Sequence, residues 1–186
     1  MSTFYKILYI ANRIILRFLL FFSNEYNKGE LYSRFLGMKI GKNCRIFSRP
    51  RFGSEPYLIE IGDDVRIARG VSFITHDGGL TLFRNEFPGI NYFAKIKIGN
   101  NVLIGLNTII LPGVTIGNNV IIGSCSVINK DIPDNSVVAG IPAKLICDIE
   151  SYKQKSITKA CFISEKNYWK RKKEILSFVN NNVKGF

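Results

Sequence analysis

The chain holds one histidine, His76, followed at once by Asp77 and the pair Gly78–Gly79. An imidazole ordinarily titrates near pH 6.5, so a neutral ring can take a proton from a hydroxyl at physiological pH. A lone histidine also serves as a plain structural residue, and both roles stand open here. Asp77 has its own pair of roles: orienting the ring or contacting an acceptor, or shaping the turn ahead of Gly78–Gly79. Further along, Phe83-Arg84-Asn85-Glu86-Phe87-Pro88 alternates aromatic and polar groups. Aromatic faces stack on sugar rings, and Arg84 and Glu86 can bond hydroxyls or a phosphate; the same residues can also pack a loop on itself. Four cysteines stand at 44, 125, 147 and 161, with no CxxC spacing. They read as reduced thiols of a cytosolic protein, Cys44 and Cys125 on repeat positions that point inward. No metal is expected.

The elements that hold these groups are written in a repeat. Ile98, Ile104, Ile110, Ile116, Ile122 and Ile128 recur every six positions. Gly99, Gly105, Gly117 and Gly123 follow four of them, and Ile96, Val102, Thr108, Val114, Val120 and Ser126 precede them by two. A period of six is neither that of a strand nor that of a helix. It marks stacked units that bury a core only together. Earlier coils run through Ile40, Ile46 and Phe52, then Ile61, Ile67 and Phe73, which makes four in all. Two interruptions break the count: a short bulge at Gly53–Leu58 with Pro56, and an excursion over 75–95. Loops longer than about 12–15 residues are usually functional or disordered, and this one carries His76. Pro133 and Pro142 end the repeat.

Hexapeptide repeats of this form resemble the left-handed parallel β-helix, a triangular prism with one hexapeptide per side. Three segments extend the resemblance to the hexapeptide-repeat acyltransferases, in the sugar O-acetyltransferase branch of galactoside and maltose acetyltransferases. They are the repeats, Ile74-Thr75-His76-Asp77-Gly78-Gly79, and the ending Lys130-Asp131-Ile132-Pro133 with Ala139-Gly140-Ile141-Pro142-Ala143-Lys144. The similarity, over roughly Gly37 to Ile149, implies an all-β fold, a left-handed parallel β-helix of about four coils; the residue pattern outside it adds an N-terminal amphipathic helix and a short C-terminal helix. It implies acetyl transfer from acetyl-CoA to a sugar hydroxyl in surface-polysaccharide assembly, capsule or O-antigen. The rival it leaves is N-acylation of a nucleotide-linked amino sugar.

In that family His76 matches the general base, with Asp77 beside it. Gly105 matches a coil corner whose amide can meet an oxyanion. Leu106, Ser124, Asn129 and Lys130 match the path of the CoA pantetheine arm, and Lys144 a basic position at the nucleotide phosphates. Arg84 and Leu103 fall at the acceptor end. Leu103 departs from the pattern, since related galactoside enzymes carry a Trp there. The family implies a homotrimer with sites between subunits. Zinc-dependent carbonic anhydrases on the same helix need three imidazoles, so they are excluded.

Length and charge fit that reading. The 186 residues suffice for one domain with appendages, and the net charge of +12 favours anionic partners. No nucleic-acid motif accompanies the charge, so nucleic acid is not an expected partner. Three segments are expected: 1–36 helical, 37–149 the β-helix, and 150–186 a basic helical tail with a solvated charged face. In Phe4–Phe22, Lys6, Arg13 and Arg17 fall within about 40° of arc on a helical wheel. Central arginines make this a poor membrane span, and no signal-peptide cleavage site follows. The helix either packs on its own or a neighbouring subunit, or lies on a membrane surface. The location that follows is cytoplasmic, with peripheral contact to the inner membrane face as the second role of that helix.

Overall fold

A side chain buried every sixth residue requires a backbone that turns a corner three times per coil. The computed structural model, which describes residues 3–182 and the side chains of 10–181, builds those corners into a three-sided prism. One sheet holds β1 (Lys39–Ile40), β3 (Ile59–Ile61), β6 (Ile96–Ile98) and β9 (Thr115–Ile116). The second holds β2 (Arg45–Ile46), β4 (Arg66–Ile67), β7 (Val102–Ile104), β10 (Val120–Ile122) and β12 (Ser136–Gly140). The third holds β5 (Ser72–Phe73), β8 (Ile109–Ile110) and β11 (Val127–Ile128). Each pairing along these stacks is parallel. Asn101 and Asn119, stacked on one corner, lie 18 residues apart, one full coil. The first coil contributes its third side through a bridge from Arg51 to Ser72.

Ile46, Ile67, Ile104 and Ile122 stack inside one wall, and Phe73, Ile110 and Ile128 inside another, all essentially inaccessible to water. Each such burial contributes roughly 1.5–3 kcal/mol. Thr108 and Ser126 point inward too, and both hydroxyls donate to the Gly123 carbonyl, at 3.3 and 2.7 Å. That meets the rule that buried polar groups find partners.

The corners need a left-handed residue. Asn43, Asp64, Asn101, Asn107, Asn119 and Asn135 supply it, with φ between 54° and 58°. Asn and Asp adopt that region more readily than other side chains because they bond locally. Cys125 holds the equivalent place, with φ 59°. It is therefore exposed on a corner and not inward as the repeat count suggests; Cys44 is buried. At another corner a Cβ on Gly99 would lie 2.6 Å from the Gly117 carbonyl, so the coils close only with glycine there.

The N-terminal segment is two helices where one is expected: α1 (Thr3–Phe21) and α2 (Lys28–Leu36). The side chains of Phe4 and Lys6 lie outside the described residues. α2 stops at Gly37, whose φ of 69° lets its amide reach the Ser33 carbonyl. Tyr32 on α2 meets Phe52 edge to face at 4.9 Å, and Phe52 meets Phe73 at 5.4 Å. Buried Lys28 donates to the Ile46 carbonyl at 3.1 Å. After β12 the chain reverses at Pro142, and β13 (Ala143–Asp148) pairs with it antiparallel.

The chain divides into two units, Met1–Ile149 and Glu150–Phe186. The second carries two helices, α3 (Ile149–Ile157, begun at the boundary) and α4 (Tyr168–Asn182), where one is expected. Both ends thus add helix to the all-β core.

Truncating the stack inside the prism should leave a cavity that rigid coils cannot close. Ile104→Ala should cost about 2–5 kcal/mol, read as a lower denaturation midpoint with the slope unchanged.

Candidate active site

The excursion is pinned at its base. His76 bridges Phe93 antiparallel, the Asp77 amide donates to the Tyr92 carbonyl at 3.1 Å, and Ala94 to Thr75 at 2.9 Å. Just below, Ile74 donates to Ile110 of the next coil at 2.9 Å. The imidazole therefore leaves a hydrogen-bonded corner, not a free loop.

Its partner comes from the coil beneath. Glu55 Oε2 lies 3.1 Å from His76 Nδ1, and the hydroxyl of fully buried Thr75 donates to the same oxygen at 3.1 Å. Burial works against ionising Glu55, but hydrogen bonds from Ser54, Thr75 and His76 outweigh it, and its carboxyl sits below the usual glutamate range. An ionised carboxylate only accepts. Nδ1 therefore donates to Glu55, which in the neutral ring leaves Nε2 as the acceptor. The His76 side chain is 40% exposed and that of Glu55 15%, so the ring is partly open to solvent while its anchor is more sheltered.

Asp77 takes the turn role. Its Oδ1 accepts from the Gly79 amide at 2.8 Å and caps the 3-10 turn Gly78–Phe83. The group on the ring is Glu55, which the sequence reading placed inside an unassigned bulge. Only an acidic residue one coil before the histidine hinted at it, and the irregular spacing of Gly53–Leu58 hid the register.

The remaining candidates fall on two edges of the prism. The edge between the third and first sheets carries His76, Glu55 and, two coils on, exposed Asn129 and Lys130. The edge between the second and third sheets carries Leu106 and Ser124, with the Leu106 amide donating to Ser124 Oγ at 3.2 Å. A surface cavity of about 580 Å³ opens there, lined by Phe47, Ala68, Arg69, Leu106 and Asn107. Half-exposed Leu103 lies on β7, on the outside of the second sheet. Lys144 on β13 pairs with Ala139 and is exposed. Arg84 is tied within the excursion, its Nη2 donating to Asn91 Oδ1 at 2.9 Å. One reading needs correction. The Gly105 amide donates to the Ile122 carbonyl at 2.9 Å, so it is spent in the coil ladder and not free for an oxyanion. The amide outside the backbone ladder at that corner is Leu106. Among the described residues no three His, Cys, Asp or Glu side chains converge as a metal set.

Comparison with known proteins fits this geometry. The family model for bacterial transferase hexapeptide (six repeats) matches residues 95–130. The protein CapG of Staphylococcus aureus is 50% identical over 158 residues, covering 84% of this chain and 92% of its own. The chain belongs to the hexapeptide-repeat acetyltransferases. WbbJ of Escherichia coli K12, named for O-acetyl transfer in lipopolysaccharide biosynthesis, is 30% identical over 157 residues, covering 74% of this chain and 80% of its own. A solved galactoside acetyltransferase in complex with coenzyme A superposes with TM-score 0.55 at 28% identity, covering 86% of this chain and 88% of that one.

In this acetyltransferase the Glu55 carboxylate should also hold the excursion down. Its folded pKa lies below its unfolded value, so its share of stability is complete above the ordinary glutamate range and is lost as pH falls through the lowered value. Thermal unfolding of wild type and Glu55→Gln should differ at neutral pH and converge on strong acidification.

Proposed function

We propose that the protein transfers an acetyl group from acetyl-CoA to a sugar hydroxyl during assembly of a surface polysaccharide. The observation that carries this reading is the His76–Glu55 pair, a partly exposed imidazole whose Nδ1 is held by a carboxylate. The likeness to CapG, to WbbJ and to a CoA-bound galactoside acetyltransferase supports the donor and the acceptor class.

Bound acetyl-CoA supplies a thioester carbonyl. Nε2 of His76 accepts the proton of the sugar hydroxyl as its oxygen bonds to the acetyl carbon. Glu55 faces the opposite nitrogen and offsets the positive charge the ring acquires. The Leu106 amide lies outside the backbone ladder but is held by Ser124 Oγ, so it reaches the carbonyl oxygen only by exchanging that side-chain bond. When the carbon–sulfur bond breaks, the ring returns its proton to the departing thiolate. Ser124, Asn129, Lys130 and Lys144 serve the donor, and Arg84 and Leu103 the acceptor. Aligning charge and donors in advance is the main lever for such a reaction.

Leu106 and Ser124 stand on one prism edge and His76 on another, and rigid coils do not fold one edge onto the other. Two copies placed edge to edge unite them, which favours a cyclic trimer with sites at its interfaces. Use of acetyl-CoA supports a cytoplasmic location. No described helix is long and apolar enough to cross a membrane. The outer face of α1, with Ile14, Phe18 and Phe21 exposed beside Arg17 and Phe22 just past its end, suits contact with the inner membrane surface.

Thiol release from acetyl-CoA with polysaccharide precursors as acceptors tests the reading. His76→Asn should lower turnover by roughly 10²–10⁴-fold, with CoA affinity unchanged and the rise of rate with pH abolished. A variant within about threefold of wild type, far from the loss of a base, would return His76 to a structural role.

A further inference from the structure

Between α1, α2 and the third side of the first coil lies a cavity of about 760 Å³. Leu20, Tyr32 and Phe52 form apolar wall; Arg17, Arg49 and Arg51 also line it. None of these three arginines pairs with a carboxylate among the described residues. Guanidinium groups stay charged at any physiological pH, so gathering them raises the local potential until an anion arrives. Their forked donors match the oxygens of a phosphate.

Tyr32 is an independent pointer. The residue is 3% exposed, and its hydroxyl is buried with no hydrogen-bond partner. Native proteins rarely leave such a group alone, and a ligand is one of the few things that resolves it. Burial pushes the phenol up to about 12, so it remains a donor at any working pH. Its ring is already fixed against Phe52, which leaves the hydroxyl little freedom to find another partner.

The cavity also adjoins the chemistry. Gly53 lines it and stands two residues before Glu55. A Cβ on Gly53 would lie 3.7 Å from Thr75 Oγ1, on the residue preceding His76. The cavity and the His76 corner thus share one stretch of the first coil, Gly53 to Glu55. The apolar walls fit an ester better than a bare ion.

We propose that this cavity binds the phosphate or diphosphate through which the acceptor sugar is attached to its carrier, so that the substrate is a glycosyl phosphate ester and not a free sugar. The inference rests on the acetyl-transfer reading above and names its acceptor class. Arg17, Arg49, Arg51 and the Tyr32 hydroxyl supply the donors.

Calorimetric titration of the full chain tests it, with inorganic diphosphate, farnesyl diphosphate and UDP-glucose as probes and CoA as a reference ligand. At least one diphosphate ester should bind with CoA already present. Arg49→Gln, Arg51→Gln and Tyr32→Phe should each weaken it about tenfold or more, as for a lost charge-assisted bond, with CoA affinity unchanged. Tyr32→Phe removes a hydroxyl that bonds nothing in the protein, so its thermal unfolding should not fall and the loss reads on the ligand alone. Tighter binding of the farnesyl ester assigns an alkyl carrier; tighter binding of UDP-glucose assigns a nucleotide carrier. The proposal is overturned if no probe binds, if the three substitutions leave binding intact, or if they weaken CoA equally, which would give the cavity to CoA. Failure of the acetyl-transfer reading looks different: no CoA binding and no thiol release by wild type, whatever the diphosphate does.

Discussion

The structure depends on one requirement: each coil must land its inward aliphatic side chain directly on that of the coil before. Ile67 over Ile46 and Ile122 over Ile104 meet it because the strands pair in parallel and in register. Neither coil buries its face alone, so stability accrues between neighbours as in other repeat proteins. The corners make that register obligatory. Asn101 Nδ2 donates to Asn119 Oδ1, and Asn119 Nδ2 to Asn135 Oδ1, each at 3.0 Å. An amide side chain that both tolerates left-handed backbone and bonds the next coil leaves the stack few ways to slip.

A site on such a stack inherits its rigidity. His76 and Glu55 are 21 residues apart in the chain, yet lie on adjacent coils at one edge. Thr75, buried between them, holds the carboxylate with its hydroxyl. The excursion adds mass beyond the ring without loosening it, because the Thr75–Ala94 and Asp77–Tyr92 bonds close its base. In the proposed reaction, preorganisation of this kind would give the ring its counter-charge in advance.

What the sequence made legible follows the same logic. The six-residue period is a direct print of the inward stack, so Ile98 through Ile128 and the small residues before them could be placed without coordinates. Glu55 could not, since Pro56 opens a 3-10 turn that breaks the count just where the carboxylate emerges. Asp77 drew attention by adjacency, but adjacent residues on a bent corner point apart, and its carboxylate turned to the Gly79 amide. Gly105 was misread for a related reason. A corner glycine looks free in sequence, whereas a Cβ on it would lie 2.5 Å from the Ser124 amide nitrogen, so it is glycine for closeness. Cys125 looks inward by repeat position, but it occupies the left-handed corner where Asn107 stands one coil before.

The helical ends escaped the repeat altogether, and they carry the features that set this chain apart from a bare prism. A β-helix exposes its first coil, and something apolar must cover Phe52 and Ile46. α2 does so with Tyr32 and with the stem of Lys28, whose ammonium reaches the Ile46 carbonyl. Leu16 and Leu20 of α1 complete the cover, while Ile14, Phe18 and Phe21 face out. A cap needed only for solubility would present a polar outer face, as terminal repeats normally do. This one presents aromatic and aliphatic groups outward and leaves arginines and an unpaired phenol around a cavity beneath. Both departures cost stability in the isolated chain. The proposed phosphate ester answers the second departure, because its charge would occupy the cavity and give the arginines and the phenol their partners.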